Sequence, residues 1–145
     1  MEIRNINDCF KFRLLRKINP DKEKSQKSME MSEERILKAK KASKILIFDF
    51  AIMEAYMSMF HAARALLYKD GIQEKSHYAI SVYLKEKYSN KIPLPVINFL
   101  GIHRTERHEA LYGFGYKPKK EDAELSIKDA EIFIKEIKKI LLEEK

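Results

Sequence analysis

Two arginines, a histidine and a tyrosine lie close together between residues 104 and 112. On a helix, the four-residue spacing of Arg104, His108 and Tyr112 places them on successive turns of one face. Arg107 is their neighbour. A guanidinium pair binds phosphate oxygens, and an imidazole that titrates near neutral pH acts as a general acid or base. This set predicts a site for phosphate or RNA.

The two arginines interrupt an apolar stripe on the same predicted helix. Its other members are Val96, Ile97, Leu100 and Leu111. An ionised group on a packed face is costly unless it is paired. The arginines and His108 therefore either serve a phosphate or RNA site or form a structural or dimer-interface cluster.

Asp49 and Arg64 raise a similar question on the apolar face of the preceding long helix. Buried ions are normally paired, so we expect these two to have structural roles. The expected partner of Asp49 is Arg64, or else Arg104 or Arg107 on the neighbouring helix.

Metal and cofactor chemistry is not expected. The four histidines, at positions 61, 77, 103 and 108, include no His-x3-His pair supported by carboxylates, and Cys9 is the single cysteine. The chain also lacks a phosphate-binding glycine loop and a Ser or Cys nucleophile signature.

An all-α fold is predicted for these 145 residues, which suit one domain and contain only 4 Gly and 4 Pro. Residues 45–50 could form a strand by composition, but the length of the apolar run favours a helix. We expect an antiparallel up-and-down bundle of about five to six helices. Apolar periodicity and cap residues place them near 6–17, 22–46, 48–69, 76–88, 96–112 and 120–143.

The net charge of +7 is concentrated at one end of the chain. Residues 1–45 hold 13 Lys and Arg against 7 Asp and Glu, so their net charge is +6. This segment is expected to give salt-sensitive attraction to nucleic acid. Charged residues interrupt the most apolar stretch, and no signal peptide is visible, so we expect a cytoplasmic protein with no membrane partner.

Three sequence blocks carry a family likeness. AYMSMFHAARALL at 55–67, with Gly71 and then KSH at 75–77, resembles small stand-alone HEPN-domain proteins, the higher eukaryote and prokaryote nucleotide-binding family. RHEALYG at 107–113 is similar to a later block of the same branch. The likeness spans roughly residues 30–140 and leaves the first 20 outside it, as an extension of a single domain over 1–145.

The resemblance implies a four- to five-helix bundle, commonly a homodimer. Active members are metal-independent endoribonucleases, often toxins paired with a nucleotidyltransferase-type antitoxin. In such an enzyme a 2′-hydroxyl attacks the neighbouring phosphate, which needs a general base or acid and cations on the phosphorane oxygens. His108 is the expected base or acid, and Arg104 and Arg107 are the expected cations. Tyr112 is expected to orient the phosphate. The resemblance also marks a second set as ligand-binding candidates: His61, Arg64, Lys75 and His77.

Two departures from the family keep an alternative open. The family motif has four to six residues between Arg and His, whereas three separate Arg104 from His108, and Leu111 replaces the branch's usual Asp. The alternative is a non-catalytic helical module that binds a nucleotide or an acidic partner.

Overall fold

Six helices and one two-stranded sheet make up residues 2–143, the part of the chain described by this computed structural model. The predicted all-α class is confirmed. In chain order the elements are α1 (Ile6–Lys11), β1 (Leu15–Lys17), α2 (Lys22–Lys44), α3 (Phe48–Asp70), β2 (Ile72–Glu74), α4 (His77–Tyr88), α5 (Leu94–Tyr112) and α6 (Lys120–Glu143).

Helix α3 is the centre of the bundle and contacts α2, α5 and α6. Its run of small and apolar residues leaves side chains such as Met59, Leu66 and Leu67 fully enclosed. The amphipathic helix α6 covers it with Phe133 and Ile137, both at 0% exposure. A helix that is apolar on most of its surface is stable only when surrounded, and α3 is surrounded.

Serines on α2 bind the backbone of α3 and fix the close antiparallel packing of the two helices. Short side chains let the helices approach, and each hydroxyl donates to a carbonyl that already belongs to the α3 ladder. The pairs are Ser25 to Ala65 at 2.7 Å, Ser28 to His61 at 2.7 Å and Ser32 to Ser58 at 2.6 Å.

The N-terminal segment differs from the prediction of one helix over 6–17. Helix α1 ends at Lys11, and Arg13 adopts a left-handed φ of 59° that redirects the chain. Strand β1 then pairs antiparallel with β2, with Leu15 opposite Glu74. The turn predicted at 71–74 is therefore largely a strand, because the N-terminal segment offers it a hydrogen-bonding partner.

The remaining boundaries follow the predicted signals closely. Gly71 ends α3 with a left-handed φ of 77°, as a glycine C-cap does. Helix α5 begins two residues before the prediction, since Pro95 is tolerated in a first helical turn. Residues 45–47 form a turn, in which Leu46 has a φ of 64°. Within residues 2–143, the helices lack the combined length and apolar character that crossing a bilayer requires.

Candidate functional site

A tyrosine and a histidine from two helices form the centre of the candidate site. Tyr56, on the buried face of α3, places its Oη 2.5 Å from Nδ1 of His77, the first residue of α4. The two rings are nearly parallel, with centroids 5.8 Å apart. Phe60, one turn after Tyr56, stacks on the His77 ring at 4.4 Å. Hydrogen bonding and stacking together fix the imidazole plane.

Two cations from α5 face this pair. The Arg107 guanidinium lies 5.7 Å from the centre of the Tyr56 ring, while Arg104 is exposed one turn earlier. Within residues 2–143, neither arginine has a carboxylate within ion-pair distance. The chain thus brings two unpaired guanidinium groups to a partly buried Tyr–His pair.

Burial and these cations set the protonation of the pair. Burial lowers the pKa of His77, and the charges of Arg104, Arg107 and Arg64 lower it further. Burial raises the pKa of Tyr56 to about 12, against the opposite effect of the two α5 arginines. At neutral pH, His77 is therefore a neutral imidazole and Tyr56 a protonated phenol.

Arg64 belongs to a second, paired cluster beside His77. Its guanidinium lies 5.3 Å from the ring centres of both Phe60 and Tyr68 and donates to Tyr68 Oη at 2.6 Å. Its Nε lies 2.8 Å from Oε1 of Glu74, a side chain that is 9% exposed. The sheet brings Glu74 to this position, so the ion pair depends on the β1–β2 pairing.

The prediction that Asp49 pairs with Arg64, Arg104 or Arg107 was wrong, because Asp49 forms no ion pair within the described residues. Asp49 is exposed at the start of α3, where its Oδ1 accepts from the Phe50 backbone N–H at 2.8 Å. It lies in the first helical turn, where a carboxylate is favoured by the helix dipole.

Two other predicted ligand-binding residues lie apart from the Tyr56–His77 pair. His61 is 5% exposed, and burial together with the charges of Arg64 and Arg35 lowers its pKa to about 4. Its Nδ1 has no hydrogen-bond partner within the described residues. Lys75 is exposed just before α4, and its backbone N–H donates to Leu14 at 2.8 Å.

The end of α5 is more exposed than the predicted stripe requires. The rings of His108 and Tyr112 lie 5.1 Å apart, as the helical spacing predicts, and Tyr112 is 67% exposed. Leu111, predicted on the buried face, is 38% exposed. The histidine of α5 that is buried is His103, whose Nε2 lies 2.8 Å from Oδ2 of Asp129 on α6.

Sequence reasoning did not select Tyr56 or Glu74 for the site. A hydroxyl on the apolar face of α3 was a usable signal for Tyr56, because buried phenols seek a partner. No sequence signal pointed to Glu74, whose place depends on the short sheet. Across the described residues, no three His, Cys, Asp or Glu side chains form a group able to hold a metal ion.

Comparisons with known proteins agree on one family. A profile of the HEPN domain matches residues 25–140. A Methanocaldococcus jannaschii protein named "Putative toxin MJ0142" is 28% identical over 83% of this chain and 78% of its own length. A second one, "Putative toxin MJ0605", is 30% identical over 87% and 96%. An Archaeoglobus fulgidus protein, "UPF0332 protein", is 32% identical over 74% and 86%.

Proposed function

The chain belongs to the HEPN domain family, and we propose that it is a toxin-like RNA-binding protein that cleaves RNA without a metal ion. In this proposal Arg104 and Arg107 bind the phosphate to be cleaved. His108 and Tyr112 extend the contact surface along the exposed face of α5. The names of the two Methanocaldococcus jannaschii relatives support the toxin class.

The unpaired state of Arg104 and Arg107 is the observation that carries this proposal. The two other arginines that reach into the bundle, Arg35 and Arg64, both lie against carboxylates, on Glu54 and Glu74. Two guanidinium groups left without an anion, beside a neutral imidazole, suit a phosphate ligand.

The chemistry would be transfer of the phosphorus from the 5′-oxygen to the neighbouring 2′-oxygen. Charge develops on the phosphorane oxygens, and the guanidinium groups stabilise it where it forms. A histidine beside them accepts the 2′-hydroxyl proton. The products carry a 2′,3′-cyclic phosphate and a 5′-hydroxyl.

The test is cleavage and binding of labelled RNA in EDTA by the full chain. We expect the wild type to cleave, and Arg104→Gln with Arg107→Gln to weaken binding at least about tenfold and to remove cleavage. Lys128→Gln with Lys135→Gln, two exposed positions on α6, is the matched control. Wild-type affinity and rate in the double arginine variant would overturn the proposal.

A non-catalytic binding module is the second candidate. The spacing of Arg104 and His108, one residue shorter than the family motif, favours it. It predicts that the wild type shows a nucleotide-dependent thermal shift or co-purifies with a partner but leaves RNA intact.

The partners proposed are a second copy of the chain and a nucleotidyltransferase-type antitoxin. The toxin-named relatives support an antitoxin, and exposed apolar side chains at the α2–α3 turn and in the α5–α6 connection, such as Leu46 and Phe114, offer surface for an interface. Light scattering of the purified chain and co-expression with a neighbouring nucleotidyltransferase gene test these two proposals separately.

A further inference from the structure

We propose that His77, at the start of α4, is the proton acceptor of this site and that Tyr56 is its positioning residue. This inference rests on the proposed RNA cleavage and identifies the base that cleavage needs. It places the acid–base group outside α5, where sequence reasoning placed it at His108.

The two nitrogens of His77 have different environments. Nδ1 is held by Tyr56 Oη at 2.5 Å. Nε2 has no hydrogen-bond partner within residues 2–143. It is also not enclosed by the protein, so a bound molecule can reach it. The proposal assigns to His77 the tautomer in which Nδ1–H donates to the phenol oxygen. In that tautomer Nε2 keeps its lone pair and accepts a proton from a bound molecule.

None of the other three histidines combines these features. His61 is enclosed. Both nitrogens of His103 have partners, on Asp129 at 2.8 Å and on Ser126 at 3.3 Å. His108 is exposed and contacts the Tyr112 ring, with no hydrogen bond to the described residues that fixes its tautomer.

The charges around His77 come from two helices and favour its neutral form. Arg64 approaches from α3 and has Glu74 as its counter-ion. Arg104 and Arg107 approach from α5 and have none within residues 2–143. A phosphate bound by the two α5 arginines would offset their charge, so the imidazole could hold a proton more readily as the reaction proceeds.

The proposed step balances within the substrate, His77 and water. The 2′-hydroxyl proton passes to Nε2 as the 2′-oxygen forms its bond to phosphorus. The bond from phosphorus to the 5′-oxygen breaks, and that oxygen takes a proton from water. His77 then returns its proton to solvent, which restores the neutral base and leaves no net change in the protein.

The test compares cleavage and RNA binding in His77→Asn, His77→Gln and Tyr56→Phe. Both His77 variants are expected to bind RNA within about threefold of wild type and to cleave it about 100-fold or more slowly. Tyr56→Phe should lower the rate about tenfold. It should also move the acid limb of the rate–pH profile to lower pH, because the imidazolium loses a hydrogen-bond acceptor. Tyr78→Phe, an exposed tyrosine next to His77, is the matched control and should retain the wild-type profile.

The results separate the two proposals. Cleavage within about threefold of wild type in both His77 variants overturns the inference, and so does an unchanged pH profile in Tyr56→Phe. A wild type that binds RNA through Arg104 and Arg107 but cleaves none also overturns it, while phosphate binding stands. RNA binding that is unchanged when both Arg104 and Arg107 are replaced instead overturns the proposed function. Circular dichroism and melting temperatures identify variants that fail to fold. Two substitutions are made at His77 so that the comparison can use whichever variant is folded.

Discussion

Nη1 of Arg35 on α2 lies 3.0 and 3.2 Å from the two carboxylate oxygens of Glu54 on α3. Glu54 is 5% exposed, so its negative charge has little access to water. The pair lies in the same interface as the serine-to-backbone bonds between these helices. An ion pair in this position selects one register of α2 against α3, because sliding either helix would leave the buried charge unpaired.

Removing one member of this pair should destabilise the fold strongly. Arg35→Met leaves Glu54 buried without a counter-ion, and the free energy of unfolding at pH 7 should fall by about 3–5 kcal/mol. The double variant Arg35→Met with Glu54→Leu should recover most of that loss. Urea denaturation followed by circular dichroism measures both, and a single variant within about 1 kcal/mol of wild type would contradict the assignment.

His61 should make stability depend on pH in the acid range. Its pKa is about 4 in the fold and near 6.5 in an unfolded chain, so the unfolded state binds more protons between these values. The stability contributed by neutral His61 is complete above pH 6.5 and is lost as the pH falls toward 4, by about 3 kcal/mol in all. His61→Gln should flatten this slope, whereas His108→Gln at an exposed position should keep it. Equal slopes in wild type and His61→Gln would refute the effect.

Gly71 and Gly101 should respond oppositely to alanine. At Gly71 a Cβ would lie 2.8 Å from the Ile18 carbonyl oxygen, and the φ of 77° is unfavourable for alanine. Gly71→Ala should lower the free energy of unfolding by at least about 1–2 kcal/mol. In Gly101→Ala the Cβ meets no atom within 4 Å inside α5, so stability should rise by up to about 1 kcal/mol. Thermal melts of the two variants provide the comparison.

Salt dependence should distinguish the site from the basic N-terminal part of the chain. If RNA binds as proposed, Arg104→Gln with Arg107→Gln removes two phosphate contacts, and the slope of log K against log salt should fall by about 1.4 for single-stranded RNA. Lys38→Gln with Lys41→Gln, on the exposed face of α2, should also lower the slope but leave the cleavage rate at saturating RNA unchanged. A cleavage defect in the lysine variant at saturation would show that α2 takes part in the reaction.

Elements with strong periodicity or cap residues were predictable from the sequence. Helix α6 matches its predicted bounds, because apolar residues at three- and four-residue spacing recur along its whole length. Helix α3 was placed to within one residue, since Gly71 marks its end. The position of Arg107 beside α3 follows from helical periodicity, which places this residue in the apolar stripe of α5.

Features that depend on tertiary partners were not predictable. A three-residue strand such as Leu15–Lys17 is too short to show an alternating pattern, and its partner lies more than fifty residues away. The pairing of Arg64 with Glu74 rather than Asp49 depends on that strand. A helical wheel also assumes one straight buried face, whereas the last turns of α5 run past the edge of the core and expose Leu111.

The β1–β2 pairing connects the site to a part of the chain outside the shared domain. Residues 25–140 match the HEPN profile, whereas Leu14 and Ile18 lie before it. The Leu14 carbonyl accepts from the backbone N–H of Lys75, two positions before His77, and the backbone N–H of Ile18 donates to the Gly71 carbonyl. The N-terminal segment therefore fixes the backbone that leads into α4. A sequence change in those first residues is expected to act on the position of His77 through the backbone, without altering any residue of the candidate site.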